Sequence, residues 1–147
     1  MDIMKSLTAA MLPIALIVVL QVIAPLVGLV PLLGMLTWCT CIILIPAHAW
    51  VGYAIKKSGL AMEDSAIVGA VAGLLSGIVN VVMSFVMIFL GGMLGVAIGG
   101  NDVGTSALVG VIGAGFTGVA ALCMIPIYAV LGAILAVVGY FIAQEMK

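Results

Sequence analysis

Few side chains in this sequence carry groups that could take part in chemistry. His48 is the single histidine, and a histidine within an apolar helix can relay protons or ligate haem. Haem would need a second strong axial ligand, and none is evident. Methionine can serve as such a ligand, but with ten methionines in the chain its presence does not indicate a haem site. We therefore expect a structural role for His48, with a hydrogen bond to a neighbouring helix.

The three cysteines lack the spacing of a redox or metal centre. Cys39 and Cys41 are two residues apart, which directs them to nearly opposite faces of a helix, and Cys123 is far along the chain. This pattern is better explained by cysteines that pack as small apolar side chains than by the paired cysteines of a thiol oxidoreductase. The sequence also contains no phosphate loop or nucleophile–base pair. We predict no catalytic residue, no metal site, no cofactor and no enzymatic activity.

Three polar residues with four-residue spacing form a further candidate site. Ser76, Asn80 and Ser84 would share one face of a helix. We favour hydrogen bonds between packed helices as their role. The alternative is a polar pathway for a solute, with His48 as a further member, in a small transporter or channel formed by an oligomer.

Small residues also recur at four-residue spacing, which places them on one helical face where backbones can approach closely. These glycine-zipper patterns predict helix packing. They form three ladders, which are Gly69, Gly73 and Gly77, then Gly91, Gly95 and Gly99, then Gly110, Ala114 and Gly118.

The composition indicates that lipid surrounds the helices carrying these residues. Of 147 residues, 67% are hydrophobic and 6% are charged, whereas a soluble domain has roughly 25% charged residues. Residues 6–55, 65–101 and 103–144 contain no charged side chain. A spanning helix needs about 20 apolar residues. The first interval can hold two spans and each of the others at least one, so we predict an all-α, polytopic transmembrane bundle of four spans.

The breaks between helices divide this single transmembrane domain into two hairpins. The first hairpin, 3–55, has helices from Ile3 to Ile23 and from Leu32 to Ile55, with a proline- and glycine-containing turn over 24–31. A cytoplasmic loop, 56–64, begins with Lys56-Lys57-Ser58-Gly59, where glycine can cap the helix. The second hairpin, 65–143, starts at a cap on Asp64 or Ser65, reaches at least Leu90, and resumes at Ser106. We expect the glycine-rich segment 91–105 to be a tight external hairpin or partly re-entrant.

Lysine placement predicts the orientation. Lys5, Lys56, Lys57 and Lys147 all fall on one side of a four-helix arrangement, so the positive-inside rule places both termini in the cytoplasm of a multi-pass cell-membrane protein. A net charge of −1 makes nucleic acid an implausible partner. No acidic residue lies within a predicted span, which argues against ion-coupled carriers and rotor rings, and Asp102 is expected to be solvated.

The second and fourth predicted helices share a weak internal repeat. Residues 45–52 and 125–132 both begin Ile-Pro, with alanine three residues and glycine six residues after the proline. Such a frame is typical of a parallel repeat of two hairpins, although chance similarity is a rival explanation in so biased a composition.

The region around the predicted loop resembles a known group of proteins. Gly52-Tyr53, Lys56-Lys57-Ser58-Gly59, Asp64-Ser65-Ala66 and the alanine- and glycine-rich stretch 69–73 are similar to uncharacterised, glycine-rich, four-helix membrane proteins common in archaea. The resemblance implies a small polytopic protein without an assigned reaction. We expect a non-catalytic accessory or structural subunit that packs in the lipid bilayer against itself or against larger membrane subunits.

Overall fold

The described part of the chain is almost entirely helical. The computed structural model describes residues 3–28, 34–99 and 103–146, and the side chains of residues 4–27, 42–91 and 122–146. The helices in these ranges are α1 (Ile3–Ala9), α2 (Met11–Gly28), α3 (Gly34–Lys57), α4 (Met62–Gly99) and α5 (Val103–Glu145). This confirms the predicted all-α class.

Within the described residues, two helices are long and apolar enough to cross a membrane, judged by length and composition. They are Met62–Gly91 within α4 and Leu122–Glu145 within α5. The sequence predicts four spans, so by these criteria the structure supports two. The apolar part of α2, Met11–Val27, is shorter, and the described side chains of α3 begin only at residue 42.

A break at Ala10 divides the first predicted helix into α1 and α2. Pro13 explains it, because proline has no N–H to donate to the Ala9 carbonyl and its ring crowds that oxygen. The prediction of one continuous helix from Ile3 to Ile23 is therefore wrong. Ala10 is fully buried and the neighbouring Ser6 nearly so, which packs the short α1 against the bundle.

At its other end α2 continues beyond the predicted helix. It passes through Ala24 and Pro25 to Gly28, where the sequence predicts a turn over residues 24–31. In apolar surroundings an unwound backbone leaves N–H and C=O groups without partners, so a helix tolerates one proline rather than ending. The rest of the predicted turn, residues 29–31, lies outside the described residues.

The connection between α3 and α4 is shorter than the predicted loop 56–64. α3 ends at Lys57, and Gly59 has a φ of 73°, in the left-handed region that favours glycine. The Gly59 N–H donates to the Lys56 carbonyl at 3.0 Å, and the Leu60 N–H donates to the Ile55 carbonyl at 3.3 Å. This is the Schellman arrangement, and it confirms the predicted glycine cap.

Asp64 caps α4 from inside its first turn. The helix begins at Met62, and the carboxylate of Asp64 accepts a hydrogen bond from the Ala61 N–H at 3.3 Å. This is one half of a capping box, in which the third helical residue reaches back to the residue before the helix. The start lies two to three residues earlier than the predicted cap on Asp64 or Ser65.

The glycine-rich segment 91–105 is mostly helical. α4 has 38 residues and extends to Gly99, and α5 has 43 residues and begins at Val103. At 1.5 Å per residue these helices are about 57 and 65 Å long. Residues 91–99 and 103–105 are therefore helical, and residues 100–102 lie outside the described residues. The predicted external hairpin or partly re-entrant arrangement stays a prediction.

The described helices pack as a bundle in which α4 and α5 form the central pair. Gly69 lies beside Gly132 and Gly77 beside Ile125, so α4 and α5 run antiparallel. α3 also packs against α5, and α2 packs against both α3 and α4. The buried core is formed by Ala10, between α1 and α2, and by residues of α2, α3, α4 and α5, namely Ile17, Ala47, Val51, Ile55, Val68, Ala72 and Ala136.

Candidate functional site: a buried polar contact between α2 and α4

A buried hydrogen bond joins α2 to α4 inside the bundle. The side-chain amide of Gln21 donates from Nε2 to the hydroxyl oxygen of Ser76. Gln21 is 5% exposed and Ser76 is fully buried. Because both groups are removed from solvent, this contact holds α2 against α4.

One atom of this contact has no partner. Gln21 Oε1 is buried and accepts no hydrogen bond within the described residues. A buried acceptor left unpaired costs about 1–3 kcal/mol. The Gln21 amide therefore holds unused capacity to accept a hydrogen bond within the bundle, next to Ser76.

Asn80 and Ser84 extend the face of α4 that carries Ser76. Asn80 lies one turn beyond Ser76 and is partly exposed. Ser84 donates its hydroxyl proton to the Asn80 backbone carbonyl at 2.8 Å. Only Ser76 of the three forms a hydrogen bond to another helix within the described part of the chain.

His48 does not join this polar face. It is 5% exposed, and its Nδ1 lies 2.8 Å from the backbone carbonyl oxygen of Leu44, one turn earlier in the same helix. This bond lies within α3, whereas the sequence predicts a bond to a neighbouring helix. Among the described residues, no hydrogen bond links His48 to Ser76, Asn80 or Ser84.

Sequence reasoning missed Gln21, the residue that gives Ser76 its partner. A signal was present, because Gln21 is the single amide side chain in the charge-free interval 6–55. A polar side chain in an otherwise apolar helix needs a hydrogen-bond partner, and another helix is the usual source.

The first predicted glycine ladder packs within the chain, in the interface of α4 with α5. A Cβ atom at Gly73 would overlap the backbone carbonyl of Tyr128, and one at Gly69 would lie 2.6 Å from the Gly132 carbonyl oxygen. At Gly77 the added atom would be 3.1 Å from Cα of Ile125. This ladder therefore serves close approach between two helices of the same molecule.

The structure shows no close helix contact for the described residue of the other two ladders. Gly91 has open space around it, with no atom within 4 Å of an added Cβ. The surroundings of the remaining positions lie outside the described side chains, and those positions are Gly95, Gly99, Gly110, Ala114 and Gly118. Their predicted packing role stays a prediction.

The glycine of each repeat segment lies at a close helix contact. A Cβ at Gly52 would overlap the Ala136 carbonyl, and one at Gly132 would overlap the Gly69 carbonyl. Ser65 of α4 adds a hydrogen bond to the same Ala136 carbonyl at 3.0 Å. The repeat frame thus places a glycine where α5 contacts α3, and another where α5 contacts α4.

A second polar cluster lies at the end of the bundle where α3 connects to α4. The hydroxyl of Tyr140 on α5 donates to the Leu60 carbonyl at 3.2 Å. The Lys56 amine donates to that hydroxyl at 3.4 Å and lies 4.7 Å from the centre of the ring. The cluster fastens the connecting turn to α5.

Groups for metal or thiol chemistry are sparse in the part of the chain that the structure describes. No group of three or more His, Cys, Asp or Glu side chains there could hold a metal ion. Cys123 is a free, exposed cysteine, and the side chains of Cys39 and Cys41 lie outside the described residues. The described geometry brings no nucleophile together with a base.

Comparison with known proteins adds no assignment. No family model matches the chain, and no curated protein or solved structure matches it significantly. The resemblance to glycine-rich archaeal membrane proteins stays a prediction.

Proposed function

We propose that the protein is a non-catalytic, four-span membrane subunit that packs in the bilayer against itself or against larger membrane proteins. The observation that carries this proposal is the use of its interior polar groups. Ser65 bonds to α5, Ser76 bonds to α2, and Ser84 bonds within its own helix. Hydrogen bonds of this kind are typical of helix packing in lipid.

The outer surface supports membrane embedding. Large apolar side chains are exposed along every described helix, including Met11 on α2, Phe89 on α4 and Phe141 on α5. The exposed fraction reaches 70% for both Met11 and Phe89. Such a surface is unfavourable in water at about 25 cal/mol per Å², whereas in lipid it carries no such penalty.

The two further spans of this proposal are α2 and α3. With 18 and 24 residues these helices are about 27 and 36 Å long, near the ~30 Å thickness of the hydrocarbon layer.

Four crossings place both termini and the α3–α4 turn, with their lysines, on the cytoplasmic side. The orientation is tested with Ser58→Cys in a chain lacking Cys39, Cys41 and Cys123, using a maleimide that does not cross membranes. Labelling only after the membrane is opened supports it, and labelling of intact cells contradicts it.

A second candidate function is transport of a small polar solute. The observation in its favour is Gln21 Oε1, which is buried beside Ser76 without a donor. A solute with a hydrogen-bond donor could occupy this acceptor while passing Ser76 and Asn80. An oligomer would be needed to complete such a path.

The deciding experiment is purification in a mild detergent, followed by native mass determination and identification of every co-migrating protein. A stable complex with larger membrane subunits supports the accessory role. A homo-oligomer without other subunits favours transport, and solute flux is then measured in liposomes. Loss of flux in Gln21→Leu and Asn80→Leu would then support transport, and unchanged flux would exclude this path.

A further inference from the structure

A cleft lies between α1 and the turn that connects α3 to α4. Its volume is about 400 Å³, and its lining residues are Met4, Lys5, Thr8, Ala9, Ser58 and Leu60. The cleft is part of the lysine-bearing end of the molecule, since Lys56 and Lys57 immediately precede Ser58.

The cleft combines a cation with apolar walls. Lys5 contributes an ammonium group with three N–H donors, so it can hold a partner in the chain and still donate to a further acceptor. Met4, Ala9 and Leu60 contribute aliphatic surface, and Met4 is 80% exposed. An amphiphile with an anionic head and a hydrocarbon chain matches both parts.

The two hydroxyl groups of the cleft restrict the chemistry of that head. Thr8 donates its proton to the Met4 carbonyl at 2.7 Å, and Ser58 donates its proton to the Ala54 carbonyl at 2.9 Å. Their oxygens therefore keep lone pairs and act toward a ligand as acceptors. A head that carries hydroxyl donors beside a phosphate fits this set better than a phosphate alone.

We propose that this cleft binds the headgroup of an anionic phospholipid with free hydroxyl groups, such as phosphatidylglycerol. Lys5 binds the phosphate, Thr8 and Ser58 accept hydrogen bonds from the headgroup hydroxyls, and the acyl chains lie along Met4. Basic pockets between helices on the cytoplasmic side of a membrane bind anionic headgroups in this way. The inference rests on the proposed membrane embedding with the lysines at the cytoplasmic face.

The test is native mass spectrometry of the full chain in detergent with added phosphatidylglycerol, and with phosphatidylcholine as the zwitterionic comparison. Lys5→Gln should weaken phosphatidylglycerol binding about tenfold, because it removes a charge-assisted hydrogen bond. Lys57→Gln removes the same charge from a residue outside the cleft lining and should change binding by less than about twofold. Ala9→Leu fills the cleft without changing charge and should also weaken binding, with the helical content unchanged by circular dichroism.

Three results would overturn the proposal. Equal losses in Lys5→Gln and Lys57→Gln would show general attraction of anionic lipid, and equal binding of phosphatidylcholine would exclude an anion site. Competition by inorganic phosphate at the same concentration as the lipid would identify a free-anion site. Release of the chain from membranes by an alkaline wash would instead contradict the proposed membrane embedding, which is a separate result.

Discussion

Gln21 and Ser76 are 55 positions apart in the sequence, yet the amide of the first donates a hydrogen bond to the hydroxyl of the second inside the bundle. The contact joins α2 to α4, which the short α3–α4 turn does not bring together by itself. It also leaves Gln21 Oε1 buried without a donor. The pair is therefore both a packing contact and a site of unused hydrogen-bonding capacity.

Removing the two partners of this pair should have unequal effects on stability. Ser76→Ala leaves the whole Gln21 amide buried without a partner, so we expect a loss of about 1–3 kcal/mol in the free energy of unfolding. Gln21→Leu removes the amide together with its unpaired oxygen and leaves only the Ser76 hydroxyl without its partner, so it should cost less than Ser76→Ala. The measurement is reversible unfolding in detergent micelles. The double variant should match Gln21→Leu, and a Ser76→Ala protein as stable as the original would contradict this account.

A side chain at Gly73 should separate α4 from α5. In Gly73→Ala the new methyl group overlaps the Tyr128 carbonyl, which is backbone and cannot move aside alone. We expect a loss of about 1–3 kcal/mol, as for other overpacked positions. Gly91→Ala is the matched control, because its added Cβ meets open space and alanine is the better helix former.

The state of assembly distinguishes a ladder between two helices of one molecule from a ladder between molecules. A ladder in an interface between molecules predicts that Gly73→Leu dissociates an assembly. The structure places the ladder between two helices of one chain, so the variant should unfold more readily even as a monomer. A Gly73→Leu monomer with the original stability would show that the α4–α5 contact is not needed for folding.

Gly59 should resist substitution for a different reason, which is its backbone conformation. At a φ of 73° an L side chain is strained by about 1–2 kcal/mol, so Gly59→Ala should destabilise the chain although nothing lies within 4 Å of the added Cβ. Ser58→Ala is the control in the same turn. Hydrogen exchange of the Leu60 amide gives a local measurement, since this amide closes the cap. Equal exchange in Gly59→Ala and the original protein would contradict the strain argument.

The sequence predicts local features that depend on neighbouring residues. The all-α class, the glycine cap at Gly59 and the packing role of Gly69, Gly73 and Gly77 follow from composition and spacing. Each is a short-range property, because four-residue spacing fixes a helical face and a basic last turn followed by glycine ends a helix. The spacing does not predict which helix packs against that face. The ladder on α4 meets α5 rather than a second molecule.

Glycine and proline interrupt a helix less readily in apolar surroundings than in water. In water a glycine costs a helix about 1 kcal/mol and a proline about 3 kcal/mol, which is why the sequence predicts a hairpin or re-entrant segment over 91–105 and a turn at Pro25. An unpaired backbone group in an apolar medium costs several kcal/mol, so the helix continues through Pro25 and through the glycines of residues 91–99. The break near Pro13 costs little, because only the hydrogen bond to the Ala9 carbonyl is lost. The bonds on either side remain, since the Ala10 N–H donates to Ser6 and the Ile14 N–H donates to Ala10, at 3.1 Å each.

The hydroxyl of Tyr140 should hold the α3–α4 turn in place. Tyr140→Phe keeps the ring beneath the Lys56 amine but leaves the Leu60 carbonyl without its donor, for an expected loss of about 1 kcal/mol. Tyr140→Leu also removes the ring and should cost about 0.5–1 kcal/mol more.

Tyr53→Phe is the control for these variants. Tyr53 is half-buried, and no hydrogen bond of its hydroxyl is found in the part of the chain that the structure describes. Hydrogen exchange across residues 58–61 should rise in both Tyr140 variants and stay unchanged in Tyr53→Phe. Faster exchange confined to Tyr140→Leu would assign the restraint to the ring and its cation contact, and would contradict a role for the hydroxyl.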